Sequence, residues 1–106
     1  MKNNSGLKTG VSDVRLTGPA LADLRDIRRY ITEDNPVAAR RFIGEIVAQC
    51  ETLSETPFRG RERPDFGEGY RGIPFRRYLI VYRVADSGVE ILRVLHGARE
   101  TDILFE

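Results

Sequence analysis

With 106 residues, 41% hydrophobic and 31% charged, the chain has the composition of one soluble globular domain with a thin core. No apolar run approaches the roughly 20 residues of a membrane span, and no apolar leader follows Met1, so the cytoplasm is the expected location. A single cysteine (Cys50) and a single histidine (His96) exclude an internal disulfide and argue against a metal site, and no cofactor fingerprint is present.

Taken in chain order, residues 1–12 are polar and rich in Gly, Asn and Ser, and read as a disordered tail before one domain at 13–106. Val14, Arg15 and Leu16 form a short strand that stops at Thr17-Gly18-Pro19. There Thr17 caps a helix and Pro19 occupies its first turn, where a missing N–H costs nothing. Leu21, Leu24, Ile27 and Ile31 continue at helical spacing to about Asp34. Asn35-Pro36 restarts a second helix, whose stripe is Ala39, Phe42, Ile43, Ile46, Val47, Cys50 and Leu53, ending near Pro57. So short a link makes the pair an antiparallel helical hairpin.

Residues 57–69 hold two prolines and three glycines and read as a loop. Three strands follow at about 70–74, 77–84 and 89–95, the last two joined at Asp86-Ser87-Gly88. A short C-terminal helix carries Ile103, Leu104 and Phe105. The expected fold is therefore α+β: a short N-terminal strand, a helical hairpin, a three-stranded antiparallel meander and a C-terminal helix.

Strict alternation sends Tyr78, Ile80, Tyr82 and Val84 to one face, with Leu79, Val81 and Arg83 on the other. It divides the third strand into Val89, Ile91, Arg93 and Leu95 against Glu90, Leu92, Val94 and His96. Neither face is cleanly polar, whereas a half-solvated antiparallel sheet alternates. Two helices cover one face, so the other is expected to lie bare and to be completed by a partner, with Leu79, Val81, Leu92 and Val94 as its contacts.

From Pro57 to Arg99 the chain carries nine arginines against five acids, while Pro19–Thr56 carries five arginines against seven acids. The basic part suits nucleic acid or an acidic protein surface. Arg71, Arg83, Arg93 and Arg99, with His96, are its target-contact candidates. His96 is the one side chain whose ordinary titration falls near neutrality, a candidate general acid or base expected to lie near Arg99 and near Arg71 or Arg83. Cys50, on the apolar stripe, reads as core. Tyr78 and Tyr82 would stack on bases in a nucleic-acid reader, but strand tyrosines more often pack over a core with a wet hydroxyl.

The chain resembles the RelE/ParE superfamily of type II toxin–antitoxin toxins, on the ParE-like branch. The likeness runs from about residue 13 to 105. It is carried by Ala22-Asp23-Leu24, Ile27, Tyr30-Ile31, Asn35-Pro36, Ala38-Ala39, Leu53, Pro57 and Gly60-Arg61. It continues through Tyr70-Arg71, Tyr78, Ile80, Tyr82-Arg83-Val84 and Ile91, and then Arg93-Val94-Leu95-His96-Gly97-Ala98-Arg99. The resemblance implies a bacterial toxin silenced by a cognate antitoxin, encoded next to it and bearing an N-terminal DNA-binding domain. ParE-like toxins poison DNA gyrase, a type II topoisomerase, without being nucleases; RelE-like relatives cut mRNA on the ribosome. For a ribonuclease, His96, Arg71, Arg83 and Arg99 would be the catalytic set. The tail Thr101–Glu106 offers no Tyr, His or Lys, and the strands hold no lysine, which, with the His96-Gly97-Ala98-Arg99 end, favours the gyrase branch; no cofactor and no metal are expected.

Overall fold

The computed structural model describes residues 13–97. The N-terminal tail, Arg99 and the expected C-terminal helix lie outside the described residues.

Local chemistry sets the element boundaries close to those read from the sequence. Strand β1 (Val14–Leu16) leads into helix α1 (Gly18–Thr32), and helix α2 (Pro36–Glu55) follows. The Thr17 hydroxyl accepts a bond from the Ala20 N–H and the Asn35 side chain accepts one from the Ala38 N–H, each satisfying an orphan donor of a first turn. Strands β2 (Arg61–Glu62), β3 (Tyr70–Phe75), β4 (Tyr78–Ala85) and β5 (Gly88–His96) complete the chain.

The sheet has five strands in the order β1-β5-β4-β3-β2. The meander and the short N-terminal strand are as expected; the parallel pairing of that strand and the extra strand β2 are additions. β1 pairs parallel with β5, Val14 facing Val89 and Leu16 facing Ile91. β2 arises inside the segment read as loop, pairing antiparallel with β3. Arg61-Glu62 has no strand propensity of its own, and the exposed edge of β3 supplies the partner.

Both helices pack on one face of the sheet. Leu24, Ile27, Ile46, Cys50 and Leu53 meet Ile80, Tyr82, Val89, Ile91 and Val94 in one buried cluster. Cys50 belongs to this core, as its stripe position predicts, and burial pushes its thiol up to about 12.

One local event overturns the strict alternation expected of β5. Tyr82 faces Ile91 but Val81 faces Arg93, so Leu92 is an extra residue in the ladder. Such a bulge inverts the phase of the rest of the strand. Val94 therefore packs into the core instead of sharing a face with Glu90. His96 pairs with Tyr78 on the helix side.

The face away from the helices is also less bare than expected. Val81 is 1% exposed there, and Leu79 and the stem of Arg63 crowd the position that a side chain on Gly72 would take. The large hydrophobic residues most open to solvent among those described are Leu21, Tyr30, Val37 and Phe58, on the helices and just after them.

Candidate functional site

Of the arginines singled out from the sequence, Arg71, Arg83 and Arg93 lie among the described residues; each is individually bonded, and the structure does not gather these three. Arg71 stands opposite Tyr82 and turns toward the segment after α2. It donates to the carbonyl of Gly60 at 2.8 Å and of Phe58 at 3.4 Å, reaches the Glu62 carboxylate at 3.4 Å, and lies 5.0 Å over the Phe58 ring. Arg83, on the opposite face, donates from Nε to Glu90 at 2.8 Å. Arg15 of β1 holds the other oxygen of the same carboxylate. Glu90 is only 8% exposed. The Arg83 bond and, after it, the Arg15 bond hold its carboxyl below the usual range against the opposing effect of burial. This triad fastens β1 to the meander.

Arg93 donates two bonds to Asp23 of α1, at 2.7 and 3.0 Å, and the Asp23 carboxylate also accepts from the Val94 N–H at 2.8 Å. The Asp23 hydrogen bond raises the Arg93 pKa further. Arg71, Arg83 and Arg93 thus have carboxylate partners, and their first role is to tie elements together.

His96 does not join Arg71 or Arg83. It faces Tyr78 at the start of β4, whereas Arg83 faces Glu90 near the other end. Five residues separate the two positions, about 17 Å along a strand. Of the four antitoxin-contact candidates, Leu79 and Leu92 are half-buried, Val81 is buried and Val94 lies in the core.

What His96 does join is an aromatic and basic corner that sequence reading did not assemble. The exposed imidazole stands edge-on to the Tyr78 ring, with centroids 5.4 Å apart and planes at 84°. Tyr78 packs in turn on Phe42 at 5.4 Å, and Phe42 on Phe75 at 5.8 Å. Burial first, and then the neighbouring Tyr30, raise the Tyr78 phenol above its ordinary value, with Arg77 opposing. Tyr30 is 72% exposed. Among the described residues, the side chains of Tyr30, Arg77 and His96 have no hydrogen-bond or ion-pair partner.

The corner is built on the two-residue turn between β3 and β4. Arg76 sits there at φ 56°, an unfavourable region for a residue with a Cβ. Its guanidinium binds Glu45 of α2 at 2.7 Å and lies 5.5 and 5.9 Å over Phe75 and Phe42. On the other side, the Gly97 N–H donates to the Arg77 carbonyl at 2.6 Å. The turn is thus held from the helix side and from the end of β5, leaving the Arg77 side chain outward. Only the dipeptide Arg76-Arg77, set between strands, hinted at this in the sequence; Tyr30 lies 48 positions before Tyr78 and carried no signal.

Tyr82 belongs elsewhere. It is fully buried, its hydroxyl donating to the Pro57 carbonyl at 2.7 Å and accepting from the Gly60 N–H at 2.8 Å. It anchors the segment after α2 and is not available for stacking. Among the described residues, no three His, Cys, Asp or Glu side chains converge as a metal site, and no helix is long and apolar enough to cross a membrane.

The chain is thus a helical hairpin on one face of a small mixed sheet, with an exposed aromatic corner at one end of β4 and β5. Comparison with known proteins makes this specific. The family described as the ParE toxin of the type II toxin–antitoxin system parDE matches residues 14–101, and the chain belongs to it, within the RelE/ParE superfamily. The chain is 38% identical to "Toxin RelE2" of Caulobacter vibrioides over 84% of its own length and 99% of that protein. Among solved structures it is similar to the chromosomal ParDE system of P. aeruginosa, with TM-score 0.67 and 25% identity over 83% of this chain and 98% of that one. The RelB–RelE antitoxin–toxin complex of Methanococcus jannaschii shares the fold, with TM-score 0.53 and 19% identity over 87% and 99% of the two chains.

Proposed function

We propose that this chain is the growth-arresting member of a toxin–antitoxin pair, held silent in the cytoplasm by direct binding of its antitoxin. Its target is a type II topoisomerase such as DNA gyrase, which it inhibits by contact and without catalysis. Family membership supports the toxin role, and the neighbours' descriptions as a ParDE system and a RelB–RelE antitoxin–toxin complex support the partner. The observation that carries the non-enzymatic reading is the dispersal of the three described candidates, Arg71, Arg83 and Arg93. Arg83 and Arg93 are matched to Glu90 and Asp23, and Arg71 is spent on backbone carbonyls and Glu62. A phosphodiester-cleaving site gathers an acid, a base and free cations around one reacting group.

The second reading, a ribosome-dependent mRNA endoribonuclease, is favoured by one local arrangement. His96 is exposed and stands against Tyr78, with Arg77 close by, an acid/base group next to a cation. The name of the Caulobacter relative points the same way. Induction in cells, followed by supercoiling assays and primer extension, separates the two. Trapped gyrase–DNA cleavage complexes with an SOS response are the expected result. Codon-linked cuts in ribosome-bound mRNA, with gyrase unaffected, would establish the ribonuclease instead.

For the antitoxin, the contacts proposed are the half-buried Leu79 and Leu92, with the buried Val81 and Val94 supporting them from beneath. An obligate partner of this kind is expected to bury more than about 2,000 Å² in total.

A further inference from the structure

The Leu92 bulge lies between two anchors from the start of α1. On one side the Thr17 hydroxyl approaches the carbonyls of Ile91 and Leu92 at 3.0 and 3.2 Å, and the Thr17 N–H donates to the Ile91 carbonyl at 3.0 Å. On the other, Asp23 accepts from the Val94 N–H and from both arms of Arg93. A bulge removes a residue from the regular ladder, and the displaced donors need partners from outside the sheet. Asp23 supplies that partner, with its side chain only 15% exposed. Val94 and His96 lie immediately beyond the bulge, and its phase decides which face they occupy.

We propose that Asp23 is a positioning residue for the corner: by capping the Leu92 bulge it sets the phase of the end of β5, and so places His96 against Tyr78. The connection is direct. The Asp23 carboxylate holds the amide of Val94, and His96 stands two residues further along the same strand, on the same face. Without the cap, the nearest alternative is the unbulged register, which turns Val94 out of the core and His96 away from Tyr78. Arg93 neutralises Asp23 but is not itself the cap. The functional weight of this placement rests on the corner being the target contact; the placement itself is measurable without that assumption.

The test uses the full chain, isotope-labelled and bound to unlabelled antitoxin, and exploits His96 being the only histidine of this chain. Its imidazole protons are assignable at once, and the edge-on contact with Tyr78 gives a cross-relaxation peak between the two rings. Asp23→Ala is expected to abolish that peak and to speed exchange of the Val94 amide. Asp23→Asn keeps a carbonyl oxygen for Val94, and Arg93→Ala keeps the carboxylate, so both are expected to retain the peak. A residue acting only as surface glue would lower the melting temperature in all three and leave the peak unchanged in all three. Should Asp23→Ala fail to fold, deletion of Leu92 in that background removes the bulge and with it the need for a cap, and is expected to restore both fold and peak. An intact peak in folded Asp23→Ala, its loss in Asp23→Asn, or a failure of the deletion to rescue, overturns the proposal. If instead His96→Ala and Arg77→Ala remain fully toxic while the peak behaves as expected, the positioning role stands and the functional reading of the corner falls.

Discussion

A buried tyrosine hydroxyl here does what a regular element would otherwise do. Tyr82 sits in the centre of the sheet, and its Oη serves both as donor to Pro57 and as acceptor for Gly60. The approach is so close that a Cβ on Gly60 would lie 2.6 Å from that oxygen, which is why glycine stands there. Tyr82→Phe keeps the ring but strands the buried Gly60 N–H, at a cost of about 1–3 kcal/mol. Urea unfolding is expected to show a lower midpoint with an unchanged slope, since the exposed surface on unfolding is the same. Glu90 makes a comparable point for charge. Its pKa is depressed in the folded state, chiefly by Arg83, so its contribution to stability is complete above the ordinary glutamate value of 4.5 and is lost as pH falls through the lower folded value. Thermal melts from pH 7 downward are expected to show Glu90→Gln less stable than the parent at neutrality, the gap closing below pH 4.5. A gap that persists undiminished into acid would assign the loss to packing and not to the charge.

At the scale of elements, what the sequence made legible was what local chemistry decides. Thr17 and Asn35-Pro36 mark helix starts because the capping side chains bond to the next turn. Asp86-Ser87-Gly88 marks a hairpin because Gly88 takes φ 152°. The bulge left no such mark: Leu92-Arg93 contains neither glycine nor proline, and its cause, Asp23, lies 70 residues away from Arg93. β2 was illegible for the same reason, its two residues being strand only because β3 offers an edge. The site followed suit. The arginines were visible as residues, but the carboxylates that occupy them were not, and neither was the meeting of Tyr30 with Tyr78. The β3–β4 turn lies between these cases. Arg76 holds a positive φ that the sequence does not announce, kept in place by Glu45 and two aromatic rings. Arg76→Ala and Arg76→Gly both lose those contacts, yet only glycine relieves the backbone. The glycine variant is therefore expected to be the more stable of the two by roughly 1 kcal/mol in chemical denaturation. Equal stabilities would mean that the turn relaxes out of its positive φ once the guanidinium is gone.

Across the molecule, two sets of described arginines do different work. Arg15, Arg83 and Arg93 join strands and helices through Glu90 and Asp23. Arg25, Arg28, Arg40, Arg41, Arg61 and Arg77 have no carboxylate partner among the described residues, and only Arg77 of these flanks the aromatic corner. Surface charges of this second kind change encounter rates and salt dependence more than fold stability. Growth arrest therefore gives a clean separation. Arg77→Ala is expected to relieve toxicity while antitoxin pull-down and circular dichroism stay at parent levels, because the antitoxin contact proposed above uses apolar strand residues and not Arg77. Arg83→Ala is expected to act differently, leaving Glu90 half-unpaired and lowering stability before it lowers contact. His96→Ala decides the mechanism. As a contact residue beside Tyr78 it contributes one edge of a larger surface, and its loss should weaken arrest modestly. As a lone general acid or base it would carry about 10²–10⁴ in rate, and its loss would restore growth completely. A folded His96→Ala that is fully harmless, beside an Arg77→Ala that still arrests growth, would replace topoisomerase inhibition with mRNA cleavage as the activity of this toxin.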